Sequence, residues 1–223
     1  MKTLLSWSSG KDCAWALHTL RQQPEIELVG LLTTLNEEAD RVAMHGVRHE
    51  LLRAQAEAAG LPLWPVQLPW PCSNEQYQAI MATVIERARQ EGVEAIAFGD
   101  LHLVEIRAYR ERQMEGSGIR PIFPIWGGPQ DTAALAREMV QEGLRATLVC
   151  VDTAQLSADF LGRTFDEELL ADLPEGVDPC GENGEFHTFC FEGPMFSAPL
   201  PVRLGERVEK GQFHYVDLML VGG

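Results

Sequence analysis

Apolar runs alternate with helical stretches through the first hundred residues, and this alternation confines the fold more than any other feature of the chain. Residues 2–7, 26–33, 63–68 and 93–98 read as strands, and residues 12–22, 47–59 and about 74–90 as helices. The boundaries carry their own punctuation. Gly60 stands where the glycine after a helix belongs. Ser73-Asn74-Glu75-Gln76 has the form of a capping box, in which the Ser73 hydroxyl meets the Gln76 N–H and the Gln76 side chain reaches back. Strands separated by helices form right-handed βαβ units and a parallel sheet. Ligands of such sheets bind beyond the carboxyl ends of the strands, near a switch point in strand order. Two segments fall there: residues 8–13 after the first strand, and Gly99-Asp100 after the fourth.

The first of these segments is Ser8-Ser9-Gly10-Lys11-Asp12-Cys13, and Ala14, Trp15, Ala16, Leu17 and Leu20 then continue as an apolar helical stripe. Strand, tight polar turn and helix make an architecture that receives phosphate. The helix N-terminus offers unpaired N–H groups and a positive dipole end, small residues let phosphate approach the backbone, and Lys11 adds a charge. The segment is not the common nucleotide loop, because Leu5 stands where that motif has its first glycine and Asp12 where it has Ser or Thr. No G-x-G-x-x-G fingerprint follows the strand either. It resembles the pyrophosphatase loop S-G-G-x-D-S of the N-type ATP pyrophosphatases, with Ser9 replacing the first glycine and Cys13 the last serine. Enzymes with that loop cleave ATP between the α and β phosphates. The resemblance implies that Ser8, Ser9, Gly10, Lys11, Asp12 and Cys13 contact ATP, with Mg²⁺ bridging the phosphates.

Composition narrows the classes. A length of 223 residues suits one domain with a smaller appendage, and no run reaches the roughly 18 apolar residues of a membrane span. The start of the chain lacks the basic, apolar and small-residue order of a secretory signal. The five cysteines, at 13, 72, 150, 180 and 190, show no C-x-x-C spacing, which argues against a zinc knuckle and for a reducing cytoplasm. A formal net charge of −15 argues against a broad nucleic-acid footprint.

After residue 100 the pattern changes. Residues 104–115 read as a charged helix carrying Arg107, Arg110 and Arg112, for which a solvated face competes with a phosphate or carboxylate site. Residues 121–128 read as an extended apolar segment, 132–142 as a helix, 146–151 as a strand and 158–173 as a helix broken near Gly162. Short strands follow at 186–192, 202–208 and 212–220, the last able to pair within the chain or across a homodimer. A division near residue 125 separates an ATP-binding half, 1–125, from a substrate-side region, 126–223. The expected fold is a Rossmann-like α/β parallel sheet followed by a smaller α+β region.

A second constellation lies in Asp178-Pro179-Cys180-Gly181-Glu182-Asn183-Gly184-Glu185-Phe186-His187-Thr188. Carboxylates, an amide, an imidazole and a hydroxyl gather among glycines just before a strand. Glu185 and His187 flank Phe186, so in a strand they share a face, placed to position an amine or take its proton. An acidic surface loop with a buried histidine is the competing reading.

Taken together, the loop at 8–13, Met44-His45-Gly46, Phe98-Gly99-Asp100, residues 121–127 and Gly181 to Thr188 resemble the diphthine–ammonia ligase family over roughly residues 2–192. The resemblance implies adenylylation of a carboxylate, displacement of AMP by ammonia and release of pyrophosphate. It implies Lys11, Glu185 and His187 as catalytic groups, and His45, Asp100, Glu182, Asn183 and Glu185 as substrate-side groups. No glutaminase region is visible, so free ammonia or a separate donor is expected. Diphthine is a modified histidine on a translation elongation factor of archaea and eukaryotes. Family members occur also in bacteria, which lack it, so the carboxylate is left open between a protein and a small metabolite. Three other readings stand beside this one: sulfur transfer through Cys180 or Cys190, a nucleotide-binding module without catalysis, and a metal site at His45-x-x-x-His49, where Gly46 interrupts and no third ligand is near.

Overall fold

The computed structural model describes residues 1–38, 41–42 and 46–221; His45 lies outside the described residues. Five parallel strands run in the order β4-β2-β1-β5-β6. They are β1 (Lys2–Ser6), β2 (Glu27–Asn36), β4 (Leu63–Leu68), β5 (Ala95–Ala97) and β6 (Arg120–Ile122), with the short β3 (Arg41–Val42) antiparallel to the end of β2. The crossovers are α1 (Lys11–Arg21), α2 (His49–Ala59), α3 (Asn74–Gln90) and α4 (Val104–Met114). The chain winds one way from β1 to β4 and then returns to the other side of β1 with β5. The switch point expected from the alternation therefore lies between β1 and β5.

The parallel sheet is covered on both faces, and alternation along the strands shows it. Leu5 and Trp7 of the β1 segment point into one core with α1 and α2, while Leu4 points into the other with Met81, Ile85 and Ala88 of α3. The expected punctuation is present. Ser73 and Gln76 form the reciprocal capping box at the start of α3, and Gly60 ends α2 in the left-handed conformation.

The second half is a separate antiparallel sheet around β7 (Arg145–Asp152). β9 (Phe186–Glu192), β8 (Thr164–Phe165) and β11 (Phe213–Leu220) pair with it, and β10 (Val202–Lys210) pairs with β11. Two helices, α5 (Thr132–Gln141) and α6 (Glu167–Asp172), complete it. β11 thus pairs within the chain, with β10 along its length and with β7 at its start.

Two sequence expectations change. The helix at 158–173 is a 3₁₀ turn (Ala158–Phe160), the strand β8 and then α6. Gly162 adopts positive φ, Thr164 and Phe165 pair with β7, and Asp166 caps a fresh helix by accepting the Leu169 N–H at 2.9 Å. Of residues 121–128, only the first two are strand. The rest turns so that Phe123 and Trp126 pack around Arg107.

The two sheets share one core. Trp7 and Leu17 belong to the same buried cluster as Phe186, Phe189 and Val149, and Trp7 meets Phe196 edge to face at 6.4 Å. No helix among the described residues is long and apolar enough to cross a membrane.

Candidate active site

A cavity of about 260 Å³ opens at the switch point. Four segments wall it: the β1–α1 loop, the residues after β5, α4 through Arg110, and the loop leading into β9 with the start of that strand. Segments more than 160 residues apart in sequence thus meet in one place. Contact is close. A Cβ added to Gly99 would stand 2.9 Å from the Cys13 backbone nitrogen, so no larger residue fits there.

Within the β1–α1 loop, Ser9 holds the geometry and stays out of the cavity. It adopts φ +75°, the left-handed region that the family motif fills with glycine. Its hydroxyl is buried without a hydrogen-bond partner among the described residues. Its carbonyl accepts the Cys190 N–H at 2.9 Å and the Gln55 side-chain amide at 3.0 Å. Gln55, fully buried, also accepts the Trp7 indole N–H at 2.8 Å and donates to the Cys190 carbonyl at 2.7 Å. One side chain of α2 therefore bolts the loop to β9.

Lys11 is only 2% exposed. Its ammonium donates to both Asp12 carboxylate oxygens, at 3.0 and 2.9 Å, and to the Cys180 carbonyl. It also lies 5.4 Å from the Phe186 ring centroid. Burial opposes its charge, but Asp12 leads the groups that overcome this, and its pKa is raised. The Lys11 N–H, at the head of α1, donates to Thr188 Oγ1 at 3.1 Å. Cys13 is buried, its thiol donating to the Gly10 carbonyl at 3.0 Å and lying 3.5 Å from the Ser8 hydroxyl. Burial pushes that thiol up to about 11, so it stays protonated.

The second constellation divides. His187 and Glu182 line the cavity; Asn183 and Glu185 do not. Glu185 precedes β9, is 2% exposed and turns into its own loop. Its carboxylate accepts the Asp178 N–H at 2.9 Å, the Asn183 N–H at 2.9 Å and the Asn183 side-chain amide at 3.1 Å. The shared face expected for Glu185 and His187 is not formed, because strand geometry begins only at Phe186. Glu182 accepts the Leu101 N–H at 3.0 Å and so ties this loop to the turn after β5. Burial, and then the charge of Lys11, lower the pKa of His187, which favours the neutral imidazole. Behind the wall, His102 and Asp178 form a buried pair at 3.4 Å.

The arginines of α4 also divide. Arg107 stacks on Phe123 and Trp126, while Arg110 lines the cavity beside Asp100. The sequence pattern left a solvated face competing with a phosphate or carboxylate site for all of them. Arg110 was legible only as part of the helix that directly follows the switch-point turn. Gln55 had a clearer sign: it is a polar residue on the apolar stripe of Leu51 and Ala59.

Among the described residues, no three His, Cys, Asp or Glu side chains cluster as a metal site. The three carboxylates of the cavity, Asp12, Asp100 and Glu182, can assist a magnesium ion that arrives on a nucleotide, since Mg²⁺ keeps waters and phosphates as most of its ligands. The thiols of Cys180 and Cys190 are buried and shifted upward by that burial, which disfavours the thiolate that sulfur transfer needs.

Comparison with known proteins identifies the family. The family model described as "Diphthamide synthase N-terminal domain" matches residues 1–121, and "Diphthamide synthase C-terminal domain" matches residues 131–219. The diphthine–ammonia ligase of Homo sapiens is 27% identical over 188 residues, covering 78% of this chain and 70% of that protein. That of Danio rerio is 28% identical over 188 residues, covering 78% and 73%. That of Schizosaccharomyces pombe is 26% identical over 227 residues, covering 94% of this chain and 37% of the relative. The first of these models alone spans more than half of the residues, and the chain belongs to the diphthamide synthase family.

Proposed function

We propose that this chain is an ATP-dependent amide ligase that adenylylates a carboxylate and amidates it with ammonia, as a relative of proteins named diphthine–ammonia ligase. The observation that carries the reading is the single cavity joining the β1–α1 loop to Glu182, His187 and Thr188. In this reading residues 1–125 bind ATP and residues 126–223 form the substrate side.

The triphosphate, with its Mg²⁺, sits at the positive end of α1 beside Ser8, Gly10 and Asp12. A substrate carboxylate oxygen attacks the α-phosphorus, the bond to the β-phosphate breaks, and pyrophosphate leaves. Lys11 acts from within the wall as a fixed charge, held in place by Asp12 and the Cys180 carbonyl. Ammonia then attacks the acyl carbon, AMP departs, and the proton lost by nitrogen passes to His187, whose neutral imidazole can accept it. Glu185 and Asn183 serve as the frame that shapes this loop, and Glu182 fixes it against the turn after β5.

The test is ATP turnover by the purified protein with Mg²⁺, ammonium and a panel of carboxylates, diphthine-bearing elongation factor included, with products resolved. AMP and pyrophosphate formed only with ammonium and one carboxylate is the expected result. ADP as the product overturns the reading.

A further inference from the structure

We propose that Arg110 receives the pyrophosphate portion of the nucleotide, and that Asp100 holds it ready until the nucleotide arrives. The inference rests on the reading that the cavity binds ATP, and it names the residue that grips the leaving group.

The cavity wall carries two basic side chains, Lys11 and Arg110. Lys11 is already committed to Asp12 and a backbone carbonyl, so its donors face groups of the protein. Arg110 is held far more loosely. Its Nε lies 3.5 Å from Asp100 Oδ2, and neither of these buried atoms has a hydrogen-bond partner among the described residues. The two groups form a long ion pair in which Arg110 Nε and Asp100 Oδ2 are buried beyond good hydrogen-bond distance, a contact that an arriving oxyanion can improve on. The guanidinium is supported from one side by the Phe98 ring at 4.8 Å. Stacking of that kind leaves the rim of N–H donors for an oxyanion, and the planar fork matches two phosphate oxygens at once.

Position agrees with this chemistry. Asp100 follows Gly99, whose Cα packs directly on the first turn of α1, the helix end assigned to the phosphates. Charge agrees as well. Among the described residues, the wall sets Asp12, Asp100 and Glu182 beside the cations Lys11 and Arg110. Moving Arg110 from Asp100 onto the phosphates supplies a cation to the anion. The freed Asp100 carboxylate would then be available to a magnesium ion carried by the nucleotide. Burial pushes the Asp100 carboxyl upward, against the pull of Arg110.

The experiment is calorimetric titration of the full chain with inorganic pyrophosphate in metal-free buffer and, separately, with ATP and with AMP, which lacks the β and γ phosphates. Arg110→Gln is expected to weaken pyrophosphate binding about tenfold or more, the loss of one charge-assisted hydrogen bond, and to leave AMP binding within about twofold. Asp100→Asn is expected to strengthen pyrophosphate binding, because a competing carboxylate is gone. If Arg110→Gln does not fold, Arg110→Lys carries the test: it keeps the charge but loses the fork, and is expected to weaken pyrophosphate severalfold. Unchanged pyrophosphate affinity in the Arg110 variants, or an equal loss for AMP and pyrophosphate, overturns the assignment while leaving the ATP reading intact. Weaker pyrophosphate binding by Asp100→Asn overturns the holding role of Asp100. A wild-type chain that binds neither ATP nor pyrophosphate overturns both readings.

Discussion

Replacing Ser9 by glycine should stabilise this protein, although the change deletes side-chain atoms from a buried position. Ser9 holds φ +75° and is fully buried. A left-handed conformation costs a residue with a Cβ about 1–2 kcal/mol. Its hydroxyl has no partner among the described residues, and a buried unsatisfied polar group costs about 1–3 kcal/mol. Glycine relieves both. Against this, the extra freedom of glycine in the unfolded chain costs about 0.5–1 kcal/mol. The small void left by Cβ and Oγ costs about 1 kcal/mol more. The balance favours Ser9→Gly by about 1–2 kcal/mol, which for a chain of this size raises Tm by about 3–6 °C. Thermal and urea unfolding, with an unchanged urea m-value, are the measurements. ATP turnover should be unaltered, because the Ser9 side chain does not line the cavity. A lower Tm refutes the argument, since it would mean that the hydroxyl has a partner or that the loop uses the side chain to hold its shape.

Four further outcomes follow from the same geometry. Gln55→Met should cost about 2–4 kcal/mol, because it strands the Trp7 indole N–H and the Cys190 carbonyl in the core; chemical denaturation checks it, and a neutral result would deny that Gln55 bolts the loop to β9. Lys11→Ala should destabilise the fold by about 2 kcal/mol by removing the charge that faces Asp12 and the Cys180 carbonyl, so Lys11→Met combined with Asp12→Asn should regain stability. Pyrophosphate release by that double variant should still be abolished, and wild-type turnover would remove Lys11 from the mechanism. Because His187 has a lowered pKa, kcat should be flat at neutral pH and fall only below about 6.5, the ordinary histidine value. His187→Gln should lose that acid limb together with most of the rate; a profile with the limb intact would assign the proton to another group. Asp217 is raised by burial, but Arg48, at 2.6 Å, and Arg41 outweigh this and hold it at about 2. A depressed carboxylate stabilises the fold above its unfolded pKa of about 3.9 and loses that contribution as pH falls toward 2. Asp217→Asn should therefore flatten the acid unfolding curve in that window, and an unchanged curve would show the cluster to be inert.

What the sequence determined by itself was local and periodic. Strands and helices in the first hundred residues follow from spacing, because alternation and helical stripes record which faces are buried. Gly60 and the Ser73–Gln76 box mark their ends through chemistry confined to four residues. The two segments at the switch point were legible for the same reason: parallel βαβ winding obliges the turns after β1 and β5 to lie side by side. The family resemblance, carried by short motifs, also reached the loop before β9. In the second half the pattern was weaker, and residues 158–173 show why. A two-residue strand held by β7 overrides helical spacing, and only pairing partners distant in the chain decide that.

Only the tertiary structure decided which motif residues face the cavity. Glu185 and His187 sit two positions apart, and alternation would put them together. The turn that supplies Glu185 with three donors ends just before strand geometry begins, so one carboxylate is turned inward and one imidazole outward. Lys11 follows the same logic. Its charge was plain from the sequence, but its commitment to Asp12 and the Cys180 carbonyl depends on a loop 169 residues away. Arg110 came from a helix with no apolar stripe to orient it, and Gln55 from a stripe whose single polar residue gave no partner's name. Spacing encodes the orientation of a side chain about its own element. The partner it meets is set by how elements far apart in sequence pack, which is where this site is assembled.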